Sequence, residues 1–189
     1  MKKKFVVLFF ISLMFCIFSC KDVNNQNPPF DNSNLPTEEG FFIDAPTCGL
    51  HYKAFPSGMS GITDKNGKFS YKQGDEVTFF IGNMQMGFPV KGKRCISPLH
   101  IAKATTIYGN KESTILAQNI IRFLMALNTG KNPYGLIIPH IIDNLHHWDL
   151  HAILCSPHFE NEIIEIIAAL RDMLPAEIVL PTIEEAQKH

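Results

Sequence analysis

The sequence predicts an α+β fold, with a small antiparallel β-sandwich-like half at about residues 41–90 followed by a helical half at about residues 110–189. In the first half, apolar and polar residues alternate in short runs that glycines interrupt, which is typical of strands joined by turns. In the second half, apolar residues recur every three or four positions, as they do on amphipathic helices. With 189 residues, the chain suits one ordinary domain or two small units that share a core.

A secretory leader is predicted at residues 1–19. Residues 2–4 are lysines, and residues 5–18 are apolar apart from Ser12, which is the order of charge and hydrophobicity found in a signal peptide. A permanent transmembrane anchor is the alternative. It is disfavoured because the apolar run is shorter than the ~20 residues that cross a bilayer, and because Lys21 follows it at once.

The leader ends in Ile17-Phe18-Ser19-Cys20, which resembles the bacterial lipobox. In that motif a small residue precedes a cysteine that receives diacylglycerol and becomes the mature N-terminus. Ser19 and Cys20 fit the motif, whereas Phe18 stands where a small residue is usual. The resemblance implies a lipid anchor on Cys20 that attaches the protein to a membrane of the bacterial cell envelope, with the outer membrane as the expected site.

Residues 20–40 are predicted to form a disordered tether between the lipid and a single α+β domain at residues 41–189. The segment is rich in asparagine and proline and poor in apolar residues. It therefore buries too little surface to offset the entropy lost on ordering.

The β-rich half contains five candidate strands, at residues 41–43, 50–55, 68–71, 77–81 and 84–86. Between the second and third, Asp64 can accept backbone N–H bonds in an Asx-turn, and Asn66 and Gly67 tolerate a positive φ. A calcium loop of the EF-hand type is the functional alternative for this turn. It is disfavoured because that motif places glycine sixth, whereas Gly67 is fourth from Asp64.

Residues 61–82 contain the pattern T-D-x-x-G-x-F-x-Y followed by G-x-x-V-x-F-x-I-G. This pattern resembles a module of bacterial surface and periplasmic lipoproteins, and its first half is similar to carboxypeptidase-regulatory, transthyretin-like β-sandwiches. The resemblance extends through residues 96–99, 119–124 and 180–187, so it covers most of residues 40–189. It implies a location and a fold, and it carries over no catalytic residue.

Three helices are predicted in the second half. The first, at residues 112–127, has one apolar face and one polar face, with Gln118, Asn119 and Arg122 on the polar one. Ser156 is expected to cap the second helix with Pro157 at its first position. Residues 182–185 have the sequence of a capping box for a short third helix. These patterns favour helices packed on a sheet over a membrane-active surface.

A histidine-rich stretch is the main candidate for a metal site. His147, His151, Cys155 and His158 are spaced four, four and three residues apart, so one helix would present them on one face. Eleven residues of helix span ~16 Å, too far for one zinc ion. Two ligands from His147 and His151, with Asp143 one turn earlier, are the remaining metal candidate. The alternative is that the histidines cover a helix surface and bind no cofactor.

The cysteines leave the redox state open. The chain has five, of which Cys16 lies in the leader and Cys20 is assigned to lipid. Export would permit a disulfide between Cys48 and Cys95, which flank the β-rich region, and free thiols at Cys48, Cys95 and Cys155 are the alternative.

Composition and motifs favour binding over catalysis. The formal net charge is −1 and there is no basic patch, which argues against nucleic acid as a partner. The P-loop, G-x-S-x-G and G-x-G-x-x-G motifs are absent. Pairs of Cys95 with His100, or Cys155 with His151, are weak nucleophile and base candidates.

We therefore expect a non-catalytic binding, adhesion or assembly module that recognises an envelope or extracellular protein or glycan. The alternative is a metal-binding protein or metal-dependent enzyme that uses His147 and His151.

Overall fold

A computed structural model describes residues 34–105, 110–128, 135–140, 142, 148–171, 173–174 and 178–188. The leader, Cys20 and the tether up to residue 33 lie outside the described residues, as do Asp143 and His147. The described residues all belong to one compact unit.

Strands dominate the first half of this unit and helices the second, which confirms the predicted α+β fold. The strands of the described residues are β1 (Thr37–Phe42), β2 (Thr47–Cys48), β3 (His51–Phe55), β4 (Ser60–Ile62), β5 (Lys68–Lys72), β6 (Glu76–Ile81), β7 (Met84–Gln85), β8 (Val90–Lys91), β9 (Cys95–Ile96) and β10 (Leu136–Ile137). The helices are α1 (Pro98–Thr105), α2 (Asn110–Leu127), α3 (Leu150–Cys155), α4 (Phe159–Arg171) and α5 (Ile183–Ala186).

The strands form three sheets. In the first, β1 lies between β5, to which it is antiparallel, and β9, to which it is parallel. The second sheet is antiparallel and has the order β4-β3-β6-β7, with β8 also paired to β6. The third consists of β2 and β10 in parallel, so it joins the β-rich half to a segment from the helical half.

Aromatic side chains fill the space between the first two sheets. The ring of Phe79 on β6 makes edge contacts with Phe42 on β1 and Phe69 on β5, at centroid distances of 5.1 and 5.2 Å. Tyr52 on β3 packs against Phe69 at 5.8 Å. All four side chains are buried. The two sheets therefore share one core, which gives this half its sandwich-like character.

The first strand begins earlier than predicted. β1 starts at Thr37, inside the segment predicted to be a disordered tether, and residues 37–41 pair with residues 68–72 of β5. Gly40 lies opposite Phe69, and the Phe69 ring occupies the space that a Cβ on Gly40 would need. The sequence concealed this strand because glutamate and glycine have low strand propensity, and the pairing with β5 compensates for it.

The turn before β5 has the predicted Asx geometry. Asp64 Oδ1 accepts hydrogen bonds from the backbone N–H groups of Asn66 at 2.8 Å and Lys68 at 2.9 Å. Gly67 has a φ of +73°, which a side chain would strain. The prediction of a structural turn at these residues is confirmed.

Two of the three predicted helices match their expected positions. α2 covers the predicted first helix, and Thr182 and Glu185 form the predicted capping box of α5. The second helix, α4, begins at Phe159 rather than at Pro157, because Ser156 Oγ accepts a hydrogen bond from His158 N and forms a turn before the helix. α1 was not predicted.

The histidine-rich stretch does not form one helix. α3 covers only residues 150–155, and Asp149 caps its start by accepting a hydrogen bond from Ala152 N at 3.1 Å. Ser156 is extended and ends the helix. His151 and His158 therefore belong to different elements and do not share one helical face, whereas His147 lies outside the described residues.

The helices pack on the sheets over a shared core. The Ile101 side chain of α1 lies against Gly87 after β7, and Thr105 Oγ1 accepts a hydrogen bond from Phe88 N at 2.9 Å. α2 contacts α1, α3, α5 and β10. Over the residues described, none of the helices combines the length and apolar character that a membrane span requires.

Candidate binding cleft

Two clefts of several hundred Å³ in the described part of the chain are candidate ligand sites. The first, of about 520 Å³, lies at the ends of the β-hairpins beside Phe55 and Asp75. The second, of about 440 Å³, lies between α2, the turn that joins α3 to α4, and α5. We call them the hairpin cleft and the helical cleft. An apolar cavity of about 10 Å³ beside Phe42 has room for about one water molecule.

The hairpin cleft contains the carboxylate of Asp75, which forms hydrogen bonds within the fold. Asp75 is 1% exposed. Its side chain accepts hydrogen bonds from Ser57 N at 2.9 Å, Ser57 Oγ at 2.6 Å and Lys72 N at 2.7 Å. These bonds tie the turn before β6 to the turn after β3. Asp75 therefore has a structural role, and the helical cleft is the better candidate for a ligand site.

Arg122 of α2 dominates the helical cleft. Its side chain is only 5% exposed, and its Nε donates a hydrogen bond to the carbonyl oxygen of Pro181 at 2.6 Å. Its Nη2 donates to Glu160 Oε1 at 2.8 Å, and its Cζ lies 5.5 Å from the centre of the Phe159 ring. Arg122 thereby holds the segment before α5 and the start of α4 against α2.

Some N–H donors of the Arg122 guanidinium have no hydrogen-bond partner among the described residues. A guanidinium has five N–H donors, and only Nε and Nη2 have hydrogen-bond partners among the described residues. Both N–H groups of Nη1 are without such a partner. Because Arg122 lines the cleft, these donors are placed to bind an acceptor that enters it.

Asn119 lies one helical turn before Arg122 and also lines the cleft. Asn119 is 5% exposed, and its Nδ2 donates a hydrogen bond to the carbonyl oxygen of Leu154 at 2.9 Å. This bond fixes α3 against α2. Asn119 and Arg122 were both predicted on the polar face of α2, opposite its apolar face. At these two positions the polar face is buried, because α3, α4 and α5 cover it.

An apolar lobe of about 210 Å³ continues the helical cleft along α2. The two parts share Ile115, Ser156 and Pro157. The lobe is further lined by Leu116, Leu154, Cys155 and Glu112. Ile115 is 47% exposed, so its side chain is accessible to a ligand that enters the cleft. The cleft as a whole therefore has a cationic end at Arg122 and an apolar end near Cys155.

Cys155 is poorly suited to nucleophilic chemistry. Burial raises the pKa of its thiol, and the negative charge of Asp149 raises this pKa further. A raised pKa disfavours the thiolate, which is the reactive form. The suggested pair of Cys155 with His151 is therefore not supported by the electrostatics of the thiol.

The ring of His151 stacks on Phe88, with centroids 5.0 Å apart and an interplanar angle of 23°. Its Nδ1 is buried and has no hydrogen-bond partner among the described residues. No group of three or more histidine, cysteine, aspartate or glutamate side chains in the described ranges is arranged to hold a metal ion. Asp143 and His147 lie outside these ranges, so the metal site stays a prediction.

The disulfide predicted between Cys48 and Cys95 is not formed. Cys48, Cys95 and Cys155 are all free thiols. Cys48 lies on β2 of the third sheet, whereas Cys95 lies on β9 at the edge of the first. Flanking the β-rich region in sequence therefore did not predict a bond between the two cysteines.

His100 acts as a helix cap rather than as a base for Cys95. Its Nδ1 accepts a hydrogen bond from Ser97 N at 3.1 Å and lies 3.0 Å from Ser97 Oγ, at the start of α1. Burial lowers the pKa of His100, and the positive charges of Lys93 and Lys103 lower this pKa further. The neutral ring that results suits an acceptor of a backbone N–H bond.

No protein-family model, curated protein or solved structure matches the chain. The resemblance to envelope lipoproteins therefore stays a prediction. Two of the segments over which that resemblance extends, residues 119–124 and 180–187, meet through the bond between Arg122 and Pro181. No local pattern in either segment indicated that they would enclose a cleft.

Proposed function

We propose that this chain is a lipid-anchored binding module of the bacterial cell envelope and that it is not a catalyst. The Ser19-Cys20 junction after a basic and apolar leader supports the lipid anchor. The segment at residues 21–36, which precedes β1 and is poor in apolar residues, suits a spacer between membrane and domain. The expected partner is a protein, glycan or small molecule of the envelope.

The observation that carries the binding role is the helical cleft. It joins a buried guanidinium, whose Nη1 has no hydrogen-bond partner among the described residues, to an apolar wall, which is the mixed lining that ligand sites usually have. The nucleophile candidates do not support catalysis, since the pKa of Cys155 is raised and His100 caps a helix.

The test uses the full chain in its envelope. We expect detergent-solubilised protein to capture a specific envelope component, and Ile115→Asp to abolish the capture because it places a charge on the apolar wall. Ile164→Asp is the matched control, since Ile164 is also exposed, at 56%, and lies on α4 outside the cleft. Equal capture by both variants and the original chain would place the binding surface elsewhere.

A metal-binding function is the second candidate, and the unpartnered Nδ1 of His151 favours it. A metal ion would satisfy this buried nitrogen, with His147 and Asp143 as the candidate further ligands. Metal analysis of the purified protein decides between the two functions. Stoichiometric zinc that is lost in His151→Ala supports the metal function, and metal-free protein with an unchanged fold rejects it.

A further inference from the structure

We propose that the helical cleft binds an aliphatic monocarboxylate, with the carboxylate on Arg122 and the hydrocarbon chain in the apolar lobe near Cys155. This inference rests on the proposed binding function and names the class of ligand for the same site. It is carried by two N–H donors of a buried arginine that have no partner in the described part of the chain, together with an adjoining apolar lobe.

The cationic end selects a carboxylate. Both N–H groups of Nη1 lack a partner among the described residues, and an N–H group of a guanidinium donates a strong, charge-assisted hydrogen bond to a carboxylate oxygen. The Arg122 side chain is only 5% exposed, so water screens its charge weakly. Phe159 backs the guanidinium at 5.5 Å and restricts its motion.

Glu160 is the charged group that competes for this end. It is bound to Nη2 of Arg122 at 2.8 Å, but its side chain is 66% exposed. It can therefore move into water when a second carboxylate approaches. His158 lines the same cleft, whereas Glu112 lies at the far end of the apolar lobe.

The apolar lobe sets the length of the ligand. Ile115 precedes Arg122 by two helical turns, a distance of roughly 10 Å along α2, about the length of an eight-carbon chain. Leu116, Leu154 and Pro157 complete the wall. Each methylene buried there should raise affinity by up to about fourfold. The affinity should stop rising once the chain is longer than the lobe.

The test measures binding of octanoate to the full chain by calorimetry, with 1-octanol and octylamine as ligand controls. We expect saturable binding of one octanoate per chain, at least about tenfold weaker binding of the alcohol, and no binding of the amine. Hexanoate should bind up to about fifteenfold more weakly than octanoate, because it lacks two methylenes.

Three variants assign this binding to the cleft without replacing Arg122, which the fold needs. Ile115→Trp should weaken octanoate binding at least about tenfold by filling the apolar lobe, whereas Ile164→Trp, the exposed control on α4, should leave it unchanged. Glu160→Gln should strengthen binding several-fold, because it removes the competing carboxylate.

Equal binding of octanoate and octanol, or unchanged binding in Ile115→Trp, would overturn the proposal, and so would the absence of saturable binding. If octanoate fails to bind but envelope capture still depends on Ile115, the ligand class is wrong and the binding function stands. If neither depends on Ile115, both fail.

Discussion

At the scale of single residues, the side chains that organise this protein are polar groups that the fold buries. Asp64 could be assigned from sequence, because an Asx-turn depends on neighbouring residues alone. Asp75 and Arg122 could not be assigned, because their partners Ser57, Pro181 and Glu160 are 18, 59 and 38 residues away. From a local sequence pattern alone, a polar residue is expected to face solvent. Its burial can be recognised only when the elements that cover it are known.

Removing the charge of Asp75 should destabilise the domain. In Asp75→Asn, one carboxylate oxygen becomes an N–H₂ group that cannot accept from Ser57 or Lys72. We expect the free energy of unfolding to fall by about 1–3 kcal/mol, measured by urea denaturation. Glu76→Gln is the control, because Glu76 is adjacent and exposed and should change stability by less than about 0.5 kcal/mol. Equal stability of both variants would show that Asp75 has no structural role.

His100 should make stability depend on pH. Its pKa is lowered in the folded protein, so the unfolded chain binds its proton first as the pH falls. Its contribution to stability is therefore present above the unfolded pKa of about 6.5. This contribution is lost as the pH drops from there toward the folded pKa. Protonation also removes the acceptor for Ser97 N.

The measurement compares the urea midpoints of the original chain and His100→Asn at several pH values between 7.5 and 5. The variant should lose less stability over this range than the original chain, and His158→Gln, which changes an exposed histidine, should lose as much as the original. If His100→Asn and the original chain have parallel pH profiles, the capping role is wrong.

At the scale of elements, strong local periodicity predicted structure well and short non-local strands escaped prediction. α2 and β6 have apolar residues at the spacing of one helix face or one sheet face, and both were found where expected. β2 and β10 have two residues each and pair across 89 positions of sequence at Thr47 and Leu136. Nothing local to either segment encodes that pairing.

The early start of β1 can be tested at Gly40. The Phe69 ring lies where a Cβ would be, so Gly40→Ala should force the ring or the strand to move. We expect a loss of about 1–3 kcal/mol in the free energy of unfolding. Thr37→Ala, an exposed position on the same strand, should cost less than about 0.5 kcal/mol. If Gly40→Ala leaves the free energy of unfolding unchanged, residues 37–40 belong to the predicted tether and not to β1.

At the scale of the whole molecule, the two halves share one core, although composition divides them. Phe42 from β1 and Leu124 from α2 line the same small cavity, and β10 returns from the helical half to pair with β2. The sequence predicted one domain by size and composition. It could not predict the contacts between the halves, because these depend on the packing of complete elements.

A truncated chain that begins at residue 34 should therefore unfold in one cooperative transition with the stability of the full protein. A chain that begins at residue 43 lacks β1, the central strand of the first sheet, and should not fold. Thermal denaturation followed by circular dichroism distinguishes them. Two separate transitions in the longer chain, or a folded shorter chain, would contradict the shared core.

We propose that the protein is held at a membrane through Cys20, so that the domain acts at the envelope surface. The decisive measurement is mass spectrometry of the mature N-terminal peptide, from protein extracted with detergent from bacterial membranes. We predict that the peptide begins at Cys20 and carries the added mass of a diacylglyceryl group and an acyl chain. A mature peptide that begins at another residue, or an unmodified Cys20, would contradict the claim.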